Sequence, residues 1–211
     1  MPRPVLYVLA GVNGAGKSSI GGRVLLDAGL SWFNPDTFAR ELVALSGCEQ
    51  STANGKAWQE GLRRLDTAIA ASAHHAFETT LGGTTIASRI DAATATHDVV
   101  MWFCGLDSPG HHIARVRARV AAGGHDIPDD RIRQRYPRAL ANVIGLMPKL
   151  AHLKVYDNSA DAARAAPIPD PILICEMRKE KLVWPSPRDE KTLRGTPEWA
   201  KPIVAAALEY S

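Results

Sequence analysis

Val5-Leu6-Tyr7-Val8-Leu9-Ala10 runs without a polar break into Gly11-Val12-Asn13-Gly14-Ala15-Gly16-Lys17-Ser18, and this junction decides how the rest of the chain is read. The six-residue apolar run is rich in strand formers and has the length of a strand buried on both faces. Lys17 to Ala28 then carries Ile20, Val24 and Leu25 at helical spacing and stops before Gly29, a good C-terminal cap. A strand, a glycine loop and a helix in that order form a phosphate cradle. Glycines let backbone N–H groups converge on phosphate oxygens, and the helix presents its positive N-terminus. A lysine at Lys17 reaches the β and γ phosphates, and a hydroxyl at Ser18 suits magnesium. Gly11, Asn13, Gly14, Ala15, Gly16, Lys17, Ser18 and Ser19 are therefore the candidate contacts for the triphosphate of ATP or GTP, with Mg2+ at Ser18.

Outward from this junction, Ser31-Trp32-Phe33 reads as a second short strand ending at Asn34-Pro35-Asp36, followed by helices over Thr37–Ser46 and Thr52–Ser72. Ala73–Phe77 is a weaker strand that leads into Glu78-Thr79-Thr80-Leu81-Gly82-Gly83, and Thr84 or Thr85 caps a helix reaching about Thr96. Asp98–Leu106 is the clearest later strand; Asp107-Ser108-Pro109 after it has the cap and first-turn proline of a helix start. Helices flank Gly123-Gly124-His125-Asp126-Ile127-Pro128, the second running from about Asp129 to Lys149, and His152–Tyr156 is a fifth strand. Beyond Ala166 the prolines at 167, 169 and 171 precede two strand-like runs, Ile172–Glu176 and Lys181–Trp184, which read as a hairpin. A last helix is capped by Thr196 with Pro197 in its first turn. Strands alternating with helices predict an α/β fold: a mostly parallel five-stranded sheet sandwiched between helices, with a small C-terminal hairpin and helix. We expect one kinase-sized unit over 1–166, with a lid-like segment at about 111–138, and an extension over 167–211 packed on it.

Ligands of such sheets bind beyond the carboxyl ends of the strands, which selects the residues to weigh. Asp36 stands just past the second strand, where a carboxylate can take the proton of an acceptor hydroxyl as a phosphoryl group arrives. It also fits as a cap on the helix beginning near Thr37, and the two roles are compatible. Glu78, with the Thr79 and Thr80 hydroxyls and two glycines, suits a polyhydroxylated substrate; a solvated turn is the other reading. Asp107 ends a hydrophobic strand, as a magnesium-binding acid does, but Ser108-Pro109 fits a helix cap equally well, so it is left out of the catalytic set. Asn158, in the loop after the fifth strand, is a further nucleotide contact.

Seven arginines fall between Arg115 and Arg138, while the first hundred residues are near charge balance. Three readings fit: a solvated helix face, a nucleic-acid patch, or cations that clamp a transferring phosphoryl group as water is expelled. Arg115 and Arg119 share a helix face at i, i+4. With Arg135 they are the candidate catalytic cations, on two helices hinged at Gly123-Gly124, and His125 is a substrate contact. The pairs His74-His75 and His111-His112 lack the spacing of a helical metal site and read as structural or surface histidines.

The remaining composition excludes other classes. At 211 residues, with 45% hydrophobic and 22% charged, the chain can bury a core unaided. No 18-residue apolar stretch is long enough to span a bilayer. The apolar start is too short for a signal peptide and runs into the glycine loop, which places the expected location in the cytoplasm. Cys48, Cys104 and Cys175 are odd in number and widely spaced, as reduced thiols are.

Several of these segments together resemble the compact branch of the zeta-toxin family. They are Gly11–Ser18, Asn34-Pro35-Asp36, Glu78-Thr79-Thr80-Leu81, Gly105-Leu106-Asp107 and the Arg-Val steps at Arg115 and Arg119. Gly123-Gly124-His125-Asp126-Ile127-Pro128, Arg135-Tyr136 and Tyr156-Asp157-Asn158-Ser159 complete the set. The resemblance covers roughly 4–160; the phosphate loop is generic, and the other segments in this order are more specific. It implies a P-loop kinase-like fold and ATP- and Mg2+-dependent phosphorylation of a nucleotide sugar, namely the 3′-hydroxyl of UDP-N-acetylglucosamine. An antitoxin protein is the possible partner it implies; no membrane is expected, and a nucleotide-gated nucleic-acid binder stays as the less favoured alternative. By the same resemblance Lys17 holds phosphate, Ser18 magnesium, Asp36 is the base, Glu78 contacts substrate and lid arginines stabilise the transferred group. The chain departs from the family at its second catalytic arginine, in whose neighbourhood His125 stands.

Overall fold

The computed structural model describes residues 2–17, 21, 31–161 and 169–211. The helix predicted over Lys17–Ala28, the Ser18 and Ser19 contacts and the 166/167 boundary lie outside the described residues, except that Lys17 and Gly21 are helical. Among the described residues no helix is long and apolar enough to cross a membrane.

The strands are β1 (Val5–Ala10), β2 (His75–Thr79), β3 (Asp98–Gly105), β4 (His152–Asp157), β5 (Ile172–Arg178) and β6 (Lys181–Trp184). They form one six-stranded sheet in the order β2-β1-β3-β4-β5-β6. β2, β1, β3 and β4 are parallel, and β5 and β6 continue the sheet antiparallel. Among the described residues, besides helical Lys17 and Gly21, the α-helices are α1 (Pro35–Ser46), α2 (Gln50–Ala70), α3 (Thr84–Ala93), α4 (Pro109–Ala121), α5 (Asp129–Leu146), α6 (Glu190–Arg194) and α7 (Lys201–Leu208).

Two predicted features change character. Ser31–Phe33 contributes a single parallel bridge, Phe33 to Phe77, because Asn34 and Pro35 immediately start α1. The C-terminal hairpin is no separate appendage: β5 pairs with β4 along its length, so it extends the main sheet. Of three predicted helix starts, two shift and the one at Ser108 stands. Gly83, not a threonine, precedes α3. Ser108 caps α4, its hydroxyl accepting from the His111 N–H. Thr196 caps nothing, since a 3-10 turn over Glu198–Ala200 intervenes before α7.

The alternation within the strands sets the layers. Leu6 and Val8 of β1, Val99, Met101 and Phe103 of β3 and Leu153 and Val155 of β4 face one way into the main core. They pack there with Leu65 of α2, Ile90 of α3, Ile132 and Val143 of α5 and Ile203 of α7. Leu9, Ala76 and Trp102 make a smaller layer on the opposite face with Tyr7 and Tyr156. A fully buried side chain such as Phe103 contributes about 1.5–3 kcal/mol through removal of its apolar surface from water, and this fixes the register that brings the strand ends level. α1 and α2 meet through Ala39, Ala53 and Ala57, small residues that let the two backbones approach. Gly47 ends α1 in the left-handed conformation. This helical hairpin sets the start of α1 and one face of α2 over the carboxyl ends of β1 and β2.

Candidate active site

The glycine loop leaves β1 at Ala10 and is held from behind by three segments distant in sequence. The Asn158 side-chain amide, at the end of β4, donates to the Ala15 carbonyl at 2.8 Å. His112 Nδ1, in the first turns of α4, lies 2.9 Å from the Asn13 carbonyl. Arg135 of α5 donates to Asn13 Oδ1 at 2.7 Å. Spending these carbonyl and amide oxygens on buried donors turns the opposite edge of the loop, where phosphate oxygens would sit, toward the cleft. Gly16 has φ +79°, and a Cβ there would stand 2.3 Å from Asn158 Nδ2, so both the conformation and the close approach require glycine.

Lys17 is buried at the floor of the cleft, with Nζ 3.4 Å from Glu78 Oε1 and donating to the Val12 carbonyl at 3.5 Å. Glu78, at the end of β2, also accepts from Asn34 Nδ2 at 2.9 Å. Asn34 does a second job: its Oδ1 accepts from the backbone N–H groups of Asp36 and Thr37, at 2.9 and 3.2 Å. The capping role that the sequence allowed to Asp36 therefore falls to Asn34. The Asp36 carboxylate, 42% exposed, faces Arg119 at 3.7 Å and His125 Nε2 at 3.8 Å.

Two cavities meet here. One, of about 700 Å³, is lined by Gly14, Gly16, Lys17, Glu78, Arg115 and Arg119. The other, of about 940 Å³, is lined by Asn54, Trp58, Thr80, Ile127, Arg131 and Arg135. Asn13, Asp36, Gln50 and His125 belong to both. Glycines at positive φ, a buried lysine and flanking arginines fit an oligophosphate in the first cavity.

The arginine cluster divides by position. Arg115 is held by the Asp161 carboxylate at 2.8 and 3.1 Å and by the Ala160 carbonyl. Arg119 also donates to the His125 carbonyl and accepts, through its own carbonyl, the Gly124 N–H, so it fastens the Gly123-Gly124 turn. Arg135 packs against the Gly82 backbone, and burial pulls its pKa below the ordinary arginine value. Arg117 pairs with Asp129 outside the cleft, while Arg133 and Arg138 are exposed. Thr79 and Thr80 turn their hydroxyls onto the N–H groups of Leu81 and Gly82, which shapes the loop that seats Arg135; Thr80 also lines the second cavity. Asp107 accepts from Ser108 and lies 3.1 Å from His111.

Gln50, Trp58, Asp161 and the role of His112 were not legible in the sequence. Gln50 and Trp58 are eight apart on α2, a spacing that also describes any surface helix face. Burial pushes the thiols of Cys104 and Cys175 up to about 12, so both are protonated at neutral pH.

His112 carries a pH dependence whose sign can be worked out. With a carbonyl as partner Nδ1 is the donor, which leaves buried Nε2 unprotonated and without a hydrogen-bond partner. Burial first, with nearby Lys17 and Arg115, depresses its pKa from 6.5 to about 4. The unfolded chain thus binds a proton between pH 6.5 and 4 that the folded protein refuses. Stability is full above pH 6.5 and falls as pH drops toward 4, by up to about 3 kcal/mol from this group. His112→Asn, which keeps a donor at the Nδ1 position, is expected to have a shallower fall of Tm between pH 7 and 4.5 than the wild type. Parallel Tm curves would reject this.

No protein-family model matches the chain. No curated protein matches it either. Solved structures do match, and they show a P-loop kinase-like α/β fold. One is the AvrRxo1-ORF1:AvrRxo1-ORF2 complex with ATP, at TM-score 0.67 and 14% identity over 93% of this chain and 64% of the matched one. This chain therefore spans less than two thirds of that protein's length. Another is the PezAT chromosomal toxin-antitoxin system of Streptococcus pneumoniae, at TM-score 0.55 and 14% identity over 74% of this chain and 68% of the other. The Pnkp1/Rnl/Hen1 RNA repair complex also matches, at TM-score 0.50 and 16% identity over 67% of this chain and 46% of the other. The chain is thus similar in fold both to a protein of a toxin-antitoxin system and to one of an RNA repair complex, so the fold alone does not select an acceptor.

Proposed function

We propose that the protein is a small-molecule kinase that moves the γ-phosphate of ATP or GTP to a hydroxyl of a nucleotide sugar, UDP-N-acetylglucosamine being the best candidate. The observation that carries this reading is the position of Asp36 where a lysine-floored glycine cleft meets a second, larger cavity. Lys17, Arg115 and Arg119 offset charge on the phosphate side. Asp36 takes the acceptor proton, and His125 and Gln50 orient the acceptor beside it. Mg2+, when bound through Ser18 and the phosphates, neutralises further charge. On the other side Trp58 offers a face for a ring, and Arg131 and Arg135 offer cations for an anionic acceptor. Asn158 acts by holding the loop, and the Gly123-Gly124 turn lets the segment 111–138 serve as a lid.

The extension 167–211 belongs to the same unit as 1–166, the location is the cytoplasm, and an antitoxin partner accords with the complexes formed by the AvrRxo1 and PezAT proteins. Phosphorylation of another metabolite, a nucleoside or an amino sugar, is the second reading, favoured by the size and mixed lining of the second cavity. A nucleic-acid role is the weaker one, because Arg115, Arg119 and Arg135 are engaged within the clefts and do not form a surface strip.

Incubation with ATP, Mg2+ and UDP-N-acetylglucosamine, followed by mass spectrometry, is expected to show the sugar nucleotide gaining one phosphate. No gain under conditions where ATP binds removes this acceptor, and a labelled-ATP screen of metabolite extracts then identifies the second reading's substrate.

A further inference from the structure

The carboxyl ends of β3 and β4 are joined by a side chain from the far end of the sequence. Trp199, in the 3-10 turn before α7, is 6% exposed and donates its indole N–H to Asp157 Oδ1 at 3.2 Å. Its ring lies against the backbone of Gly105, where a Cβ would stand 2.2 Å from Cη2, so glycine is required for the indole to enter. Asp157 Oδ1 also accepts from the Ser159 N–H at 3.1 Å and from the Ser159 hydroxyl, and that hydroxyl in turn accepts from the Asp107 N–H at 2.9 Å. The Asn158 N–H donates to the Gly105 carbonyl at 3.0 Å.

The five-residue loop 157–161 that this network fixes touches the nucleotide cleft at both ends. Asn158 holds the Ala15 carbonyl of the glycine loop, and Ala160 and Asp161 hold Arg115. A displacement of Asp157 is therefore felt by the phosphate cradle and by one of its cations together, while none of 157–161 is among the described residues that line the second cavity.

We infer that Trp199 is a positioning residue for nucleotide binding, acting through Asp157, and that this is a role of the C-terminal extension beyond covering the sheet. The inference rests on the reading of the glycine cleft as a nucleotide site. Trp199→Phe retains a ring against Gly105 and removes only the N–H donor. It is expected to keep Tm near the wild-type value and to raise the ATP Kd, measured by calorimetry on the full chain, by about tenfold, the scale of a lost hydrogen bond to a charged group. The KM for ATP should rise with it while kcat at saturating ATP stays within about threefold. Asp157→Asn, which keeps an acceptor oxygen for the indole, should fall between the two. A fall in Tm with an unchanged ATP Kd would make Trp199 merely structural and overturn the inference. So would a loss confined to kcat. If the wild-type protein binds no ATP, the nucleotide reading itself fails and this inference goes with it; if wild type binds and the variant binds equally well, only the inference fails.

Discussion

Asp36→Asn is expected to lower kcat for phosphoryl transfer by about 10²–10⁴-fold, the usual worth of a positioned general base, with the ATP Kd within a few-fold of wild type. The substitution is close to isosteric and spares the start of α1, because the cap there is the Asn34 side chain acting on the backbone N–H groups of Asp36 and Thr37. The contacts it weakens, to Arg119 at 3.7 Å and His125 at 3.8 Å, involve a half-exposed carboxylate, and such pairs contribute at most about 1 kcal/mol. Folding and nucleotide binding should therefore survive while proton removal from the acceptor does not. Rapid-quench turnover at saturating ATP, beside calorimetric ATP binding and a thermal melt, separates these effects. Turnover within tenfold of wild type would place the base elsewhere. A comparable rise in ATP Kd would mean that Asp36 serves the phosphate cavity instead of the acceptor.

The site was legible in sequence where backbone chemistry is local. A glycine loop after a strand can be read from a few residues, because its backbone conformation is set locally. The position of Asp36 could be read for a similar reason: it follows a short apolar run and a proline, and it lines both cavities. What stayed hidden depends on long-range packing. Asn34 was quoted only as part of a motif, yet it takes the capping role and also binds Glu78 across 44 positions. His112 read as a structural or surface histidine, and only the fold shows that the carbonyl it supports belongs to the glycine loop, 99 positions away. The hairpin over 172–184 carried a sound local pattern, but which strand it would join is set by β4, whose other edge is already taken by β3. The arginines show the same limit from another side. Helical spacing put Arg115 and Arg119 on one face, whereas what each one meets, Asp161 or Asp36, depends on loops that arrive from elsewhere in the chain.

Lys17 is where the nucleotide reading is most exposed to test. Replacing it with Met keeps the packing of its aliphatic stem and removes the charge from a buried pair, since Lys17 and Glu78 are 7% and 9% exposed. Removing one member of a buried ion pair costs on the order of 3–5 kcal/mol where the other stays charged. Here the remaining carboxylate also lines the cleft that phosphate would enter. Lys17→Met is therefore expected to raise the ATP Kd by at least about a hundredfold and to lower turnover with it, losing an attraction and leaving a repulsion. The two parts can be separated by a second substitution. Glu78→Gln retains an oxygen for Asn34 Nδ2 and deletes the negative charge, so in the Lys17→Met background it should recover about tenfold in ATP affinity, without restoring turnover. In the wild-type background the same change should gain no such affinity, because Lys17 already neutralises Glu78. The coupling between the two sites in this double-mutant cycle measures how much of the loss comes from the carboxylate. If Lys17→Met leaves both ATP affinity and turnover at wild-type values, the glycine loop does not hold nucleotide, and the assignment of the larger cavity to an acceptor falls as well.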